Sequence, residues 1–180
     1  EPLVTNKPKT RSRTRTAMAK SDFRFMTTVR VRWMECDAQG IVYNGAYLGY
    51  LEIGQAEYYR NLGFAIYIIP QSGYFDFAVV KSTQEFKAPA KVDEIIELHV
   101  RVSKIGNTSL TLNLEIYPEG SDRLLTSIET IYVGYDAATE SSRPVPDAIR
   151  QLVTRFEETG DVLPIEQFPD LAKATSFNQK

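Results

Sequence analysis

Histidine and cysteine are nearly missing from this chain, with His99 and Cys36 the single examples in 180 residues. One thiol cannot close an internal disulfide, and one thiol with one imidazole is too few for a Cys/His zinc site, so a reducing compartment fits best. No G-x-S-x-G segment is present, and the lone imidazole leaves serine or cysteine hydrolase chemistry without its usual base. No apolar run approaches the ~20 residues that cross a bilayer. Acids are absent from positions 5–20, where six bases fall (Lys7, Lys9, Arg11, Arg13, Arg15 and Lys20), leaving 15 bases against 22 acids in residues 21–180. A body that acidic offers no basic stripe to nucleic acid, and the basic segment has no aromatic side chain to stack on bases.

What is present is an ordinary globular composition, 43% hydrophobic and 24% charged, in a length that suits one domain with a real core. The expected organisation is a flexible basic segment over 1–21, a folded domain over 22–160 and an extended tail over 161–180. The basic segment reads as disorder, as an expression-vector remnant ahead of Met18, or as the end of an organellar transit peptide. The expected location is cytoplasmic, or an organellar matrix or stroma if the segment is a transit remnant. No internal repeat is visible.

Val29, Val31 and Trp33 alternate with Arg30, Arg32 and Met34, the period-two pattern of a half-buried strand ending near an acidic turn at 35–40. Over 44–62, Tyr47, Leu51, Gly54, Tyr58 and Leu62 recur at helical spacing and Leu48 widens the stripe, with Asn44 a reasonable N-cap and Gly63 a reasonable C′ stop. Gly54 and Ala56 in mid-helix predict close approach to a sheet. Four strands are expected at about 75–87, 92–104, 109–117 and 123–135, separated by the turn chemistry of Pro89, Gly106-Asn107 and Pro118-Glu-Gly120, then a short helix over about 146–158. Strand, helix, four antiparallel strands and a short helix give an α+β domain, a curved five-stranded sheet wrapped around one long helix. Such a sheet keeps an open edge, so self-association into homodimers or homotetramers is expected.

The run Glu35 to Glu52 carries the chemistry. Asp37 ends the first strand, Gly40 permits a sharp turn, and the amides near Tyr43 and Asn44 open the helix, where unpaired N–H groups and a partial charge of ~0.5 e suit a developing oxyanion. From spacing alone Asp37 is equally readable as a turn residue, and Asn44 as a plain cap. Tyr47 and Tyr50 read either as core or as the wall of a substrate pocket. Glu52 and Glu57 lie on different faces of the helix, and Glu57 reads as a solvated partner of Arg60. His99 falls on the polar face of its strand with Glu97 and Arg101 and is expected to be solvated; Cys36 is expected to be a small packed residue.

The spelling of this run, with Asp37, Gly40, Ile41, Val42, Tyr43, Asn44, Tyr47 and Glu52, resembles the hot-dog-fold thioesterases of the 4-hydroxybenzoyl-CoA thioesterase family. The order of elements over about 23–158 resembles that family too. The resemblance implies a hot-dog fold, active sites at a subunit boundary, and hydrolysis of an acyl-CoA or acyl-carrier-protein thioester without cofactor or metal. It assigns Asp37 as the catalytic carboxylate and the backbone amide of Asn44, with that of Tyr43 beside it, as the oxyanion site. Gly40, Tyr47 and Tyr50 become substrate-binding residues, and Glu52 an orienting acid behind them. A thiolate leaves without much help from a general acid, so a histidine is dispensable, whereas the hot-dog dehydratases look to one. The competing class is a hot-dog domain that binds acyl-CoA without hydrolysing it.

Overall fold

The computed structural model describes residues 19–176; the basic segment before Ala19 lies outside them. Strand β1 (Phe25–Arg30) leads through a 3-10 turn (Trp33–Glu35) to helix α1 (Ala46–Asn61), which is followed by β2 (Phe77–Phe86), β3 (Ile95–Ile105), β4 (Ser109–Pro118) and β5 (Thr126–Asp136). A two-residue strand β6 (Ser141–Ser142) pairs with β5, and helices α2 (Asp147–Thr159) and α3 (Pro169–Thr175) complete the chain. The sheet runs β1-β3-β4-β5-β2, antiparallel at every pairing. This is the hot-dog arrangement, a curved antiparallel sheet around one long helix.

Period-two patterning explains the inner face. Leu98, Val100 and Val102 stand opposite Ile116, Leu114 and Leu112, which in turn oppose Thr126, Ile128 and Thr130, all of them buried. Against this wall α1 lays Tyr47, Tyr50, Leu51, Gly54 and Tyr58, with Leu62 at its C-cap. A Cβ on Gly54 would sit 2.9 Å from Val100 Cγ2 and 3.4 Å from Leu114 Cδ1, so the glycine is what lets helix and sheet meet. Gly63 ends the helix at φ +94°. Leu48 does not widen the apolar stripe: it is 42% exposed, because the sheet covers one side of α1 and position 48 falls outside the covered arc.

Three expectations are corrected. Trp33 is not an inward strand residue but 77% exposed, because the chain leaves the sheet after Val31 and the Arg32–Glu35 ion pair bends it into the 3-10 turn. The described part of the expected tail, 161–176, is not extended. It carries α3, whose Leu171 and Ala174 are buried and whose Thr175 Oγ1 accepts the Ala65 N–H at 2.8 Å. His99 is not solvated. The segment before β1 folds back over the outer face, where Phe23 packs edge-on against His99, Lys20 Nζ lies 2.7 Å from Glu97 Oε2, and His99 Nε2 lies 2.8 Å from the same oxygen. Among the described residues no helix is long and apolar enough to cross a membrane.

Two tests follow from this packing. Gly54→Ala should cost about 1–3 kcal/mol by overpacking despite the better helix propensity of alanine, and Val100→Ala in the same chain should recover part of it; equal stability to wild type in chemical denaturation would contradict the close approach. For Glu97, burial pushes the carboxyl up, but His99, Lys20 and the Gly120 amide outweigh it and hold it at about 2. A carboxyl depressed in the folded state stabilises above its unfolded value and loses that contribution as pH falls through the folded one. The Tm gap between wild type and Glu97→Gln should therefore be full at neutral pH and shrink between about pH 4.5 and pH 2; a gap independent of pH would contradict the network.

Candidate active site

The loop that presents Asp37 is built by a short antiparallel pairing of Cys36 with Val42. Asp37 N–H donates to the Ile41 carbonyl at 2.9 Å and Gly40 N–H returns to the Asp37 carbonyl at 3.0 Å, closing a tight turn in which Gly40 takes φ +72°. One carboxylate oxygen, Asp37 Oδ1, accepts the Gln39 N–H at 2.8 Å. The other has no partner among the described residues, and the side chain is exposed. Among the described residues no arginine or lysine forms an ion pair with it.

After the turn the chain runs straight to the helix. Val42 N–H donates to the Ala90 carbonyl at 3.0 Å, and Tyr43 N–H to the Glu35 carbonyl at 3.1 Å. The Tyr43 amide is therefore spent and is corrected as an oxyanion donor. Asn44 is not the N-cap either: a turn closed by Ala46 N–H on the Tyr43 carbonyl delays α1 until Ala46, Gly45 takes the cap position, and no side chain caps it. Among the described residues the amides of Asn44 and Gly45 have no acceptor, so the helix start keeps two open donors.

Asp37, Asn44 and Tyr47 line one cleft of about 470 Å³, together with Ile41, Val42, Tyr43, Phe86, Lys87, Ala88 and Pro89. Its floor is Tyr47, buried, edge-on to Phe86 and accepting the Ala90 N–H at 3.3 Å on its hydroxyl. The walls are apolar and aromatic, with Lys87 at the rim beside Glu85. The structure thus brings an uncompensated carboxylate and a helix start to one apolar cleft.

Other expected residues fall elsewhere. Gly40 shapes the turn but does not line the cleft. Tyr50 points into the core and donates its hydroxyl to Glu35 Oε2 at 2.7 Å, so it is corrected from wall to support. Glu52 lies on an exposed flank of α1, away from the cleft, where partial burial pushes its carboxyl up. Glu57 pairs with Arg60 as read. Cys36 is half-buried, and burial together with the Glu35 and Asp37 charges pushes its thiol up, which suits packing and not attack. Among the described residues no three His, Cys, Asp or Glu converge on a point that could hold a metal ion.

Two contributions were missed. Phe86, Lys87, Ala88 and Pro89 reach the cleft from the end of β2, a contact made by the curl of the sheet that local pattern does not encode. Glu35 is the other. It is 8% exposed, and burial pushes its carboxyl up, but the Arg32 guanidinium, the Arg32 amide and the Tyr50 hydroxyl outweigh that and hold it below the usual range. The three-residue spacing of Arg32 and Glu35 was the available signal.

Comparison with known proteins agrees with this fold. A family model described as the thioesterase superfamily matches residues 39–124, beginning two residues after Asp37. The acyl-CoA thioester hydrolase YbgC of Escherichia coli O157:H7 is 29% identical over 125 residues, which is 69% of this chain and 92% of that protein. The structure of Slr0204, a 1,4-dihydroxy-2-naphthoyl-CoA thioesterase from Synechocystis, matches 72% of this chain and 95% of its own with a TM-score of 0.68 at 18% identity. A structure from Thermus thermophilus, TT1821, matches 72% and 96% with a TM-score of 0.65 at 25% identity.

The turn itself is testable. Gly40→Ala should lose about 1–2 kcal/mol to left-handed strain, and Gly40→Asn less, since asparagine tolerates that region; open space surrounds the position, so backbone conformation alone sets the order. Equal stability of all three proteins in urea titrations would contradict the turn geometry.

Proposed function

We propose that this chain is a hot-dog-fold thioesterase that cleaves acyl-CoA thioesters, with Asp37 as the reacting carboxylate and the Asn44 and Gly45 amides as the oxyanion site. The observation that carries this reading is the shared cleft: Asp37, with an unpaired carboxylate oxygen, and Asn44, with an open amide, line it together among apolar walls, and the open Gly45 amide follows Asn44.

The chemistry needs few groups. The thioester carbonyl oxygen points at the Asn44 and Gly45 amides, whose dipoles favour the charge that develops there. Asp37 takes a proton from water as the resulting hydroxide adds to the carbonyl carbon, and collapse of the tetrahedral intermediate expels the thiolate. In the alternative route Asp37 adds directly, releases the thiolate and leaves a mixed anhydride that water hydrolyses. A burst of thiol ahead of acid release marks the second route, and equal rates mark the first. The acyl group lies among Ile41, Val42, Tyr43, Tyr47 and Phe86, which selects an apolar chain or ring.

Self-association belongs to the same proposal. Among the described residues strand β2 is bonded to β5 on one side only, leaving an open edge with Val79 and Val80 more than half exposed, and its last residue, Phe86, is a cleft wall that is itself 51% exposed. A second copy paired along that edge would cover apolar surface and close the cleft, which makes a homodimer the working unit.

Asp37→Asn keeps an oxygen for the Gln39 amide but loses the charge, so turnover of acyl-CoA should fall by about 10²–10⁴-fold with Tm nearly unchanged. Hydrolysis near the wild-type rate would overturn the assignment. Binding of acyl-CoA by wild-type protein without release of thiol would overturn it in favour of a carrier or sensor.

A further inference from the structure

We propose that Glu35 is a positioning residue for the reaction: its carboxylate, clamped to the Tyr50 hydroxyl of α1, fixes the distance between Asp37 and the helix-start amides. The inference rests on the reading of the cleft given above. It follows from what Glu35 touches. Oε2 accepts both the Arg32 N–H and the Tyr50 hydroxyl, at 2.8 and 2.7 Å, and Oε1 accepts the Arg32 guanidinium at Nε, 2.7 Å, and at Nη2. Its carbonyl accepts the Tyr43 N–H at 3.1 Å. Through its backbone Glu35 precedes Asp37 by two residues, through its carbonyl it holds the strand that leaves the Asp37 turn, and through its side chain it holds the second turn of α1.

These three attachments span the two halves of the site. The carboxylate is carried by the loop, and the amides are carried by the helix. Hydrogen bonds within the loop, from Asp37 to Ile41 and from Gly40 to Asp37, shape the turn without tying it to the body of α1. The Glu35–Tyr50 bond does tie it, as a buried charge-assisted contact whose hydroxyl donor comes from a residue that is 1% exposed. Neither Glu35 nor Tyr50 lines the cleft, so neither meets the acyl group. A loss of the clamp acts on alignment, and a misplacement of ~1 Å in a reacting group costs about 10²-fold in rate.

The test uses Tyr50→Phe, which removes one oxygen from a packed ring, and Glu35→Gln, which keeps the shape of the side chain. Each should lower kcat by about 10–100-fold with KM within twofold, while Glu35→Asp recovers part of the loss. In an Asp37→Asn background Tyr50→Phe should leave the residual rate unchanged, because there is no carboxylate left to aim; a merely structural defect would lower it again by the same factor. Wild-type kcat in Tyr50→Phe, or equal losses with and without Asp37, would overturn the proposal. If Glu35→Gln fails to fold, Tyr50→Phe alone decides. Wild-type protein that releases no thiol would overturn the reading of the cleft and this inference with it, whereas an active wild type with an unaffected Tyr50→Phe overturns the positioning role alone.

Discussion

At Gly54 the long helix comes so near the sheet that one added methyl would stand 2.9 Å from Val100, and the position of α1 along β3 and β4 is set by that contact. Everything in the cleft inherits this placement. The N-terminus of α1 falls beside the turn that follows β1, and the end of β2, brought round by the curl of the sheet, supplies Phe86 to Pro89 as the opposite wall. The core therefore does more than stabilise the domain: close packing fixes where the start of α1 and the Asp37 turn come to one cleft.

Two acids two residues apart show how environment divides labour. Glu35 is buried and has its charge answered by Arg32 and Tyr50, while Asp37 sits exposed on a turn with one oxygen uncommitted. The first is stabilised as an ion and locked in place. The second is free to meet water or an acyl carbon. In the proposed mechanism a thiolate leaving group makes this sparse set sufficient, since no proton need be delivered to sulfur and no histidine is needed in the cleft.

How much of this was legible in the sequence depends on range. Alternation placed the β4 leucines and the inner face of β3, and the spacing of Tyr47, Leu51, Gly54 and Tyr58 placed the buried stripe of α1, because these signals are local and periodic. The Asp37 turn and its neighbourhood to the helix were also local. What failed at His99 and Tyr50 needed contacts that their own elements do not reveal. His99 looked solvated because nothing in its own strand reveals Phe23 and Lys20 folding over it, and Tyr50 stayed open between core and pocket wall because its partner, Glu35, lies 15 residues away on another element. Asn44 looked like a cap, but the bond from Ala46 to the Tyr43 carbonyl moved the cap by one residue to Gly45 and left the Asn44 amide open.

The carbonyl stretching frequency of a ¹³C-labelled acyl-CoA thioester held on Asp37→Asn protein tests most directly whether the helix-start amides act on the reacting group. Polarisation by the Asn44 and Gly45 donors predicts a frequency below that of the same thioester in water. A frequency equal to or above the value in water would contradict the placement of the acyl carbonyl at those amides.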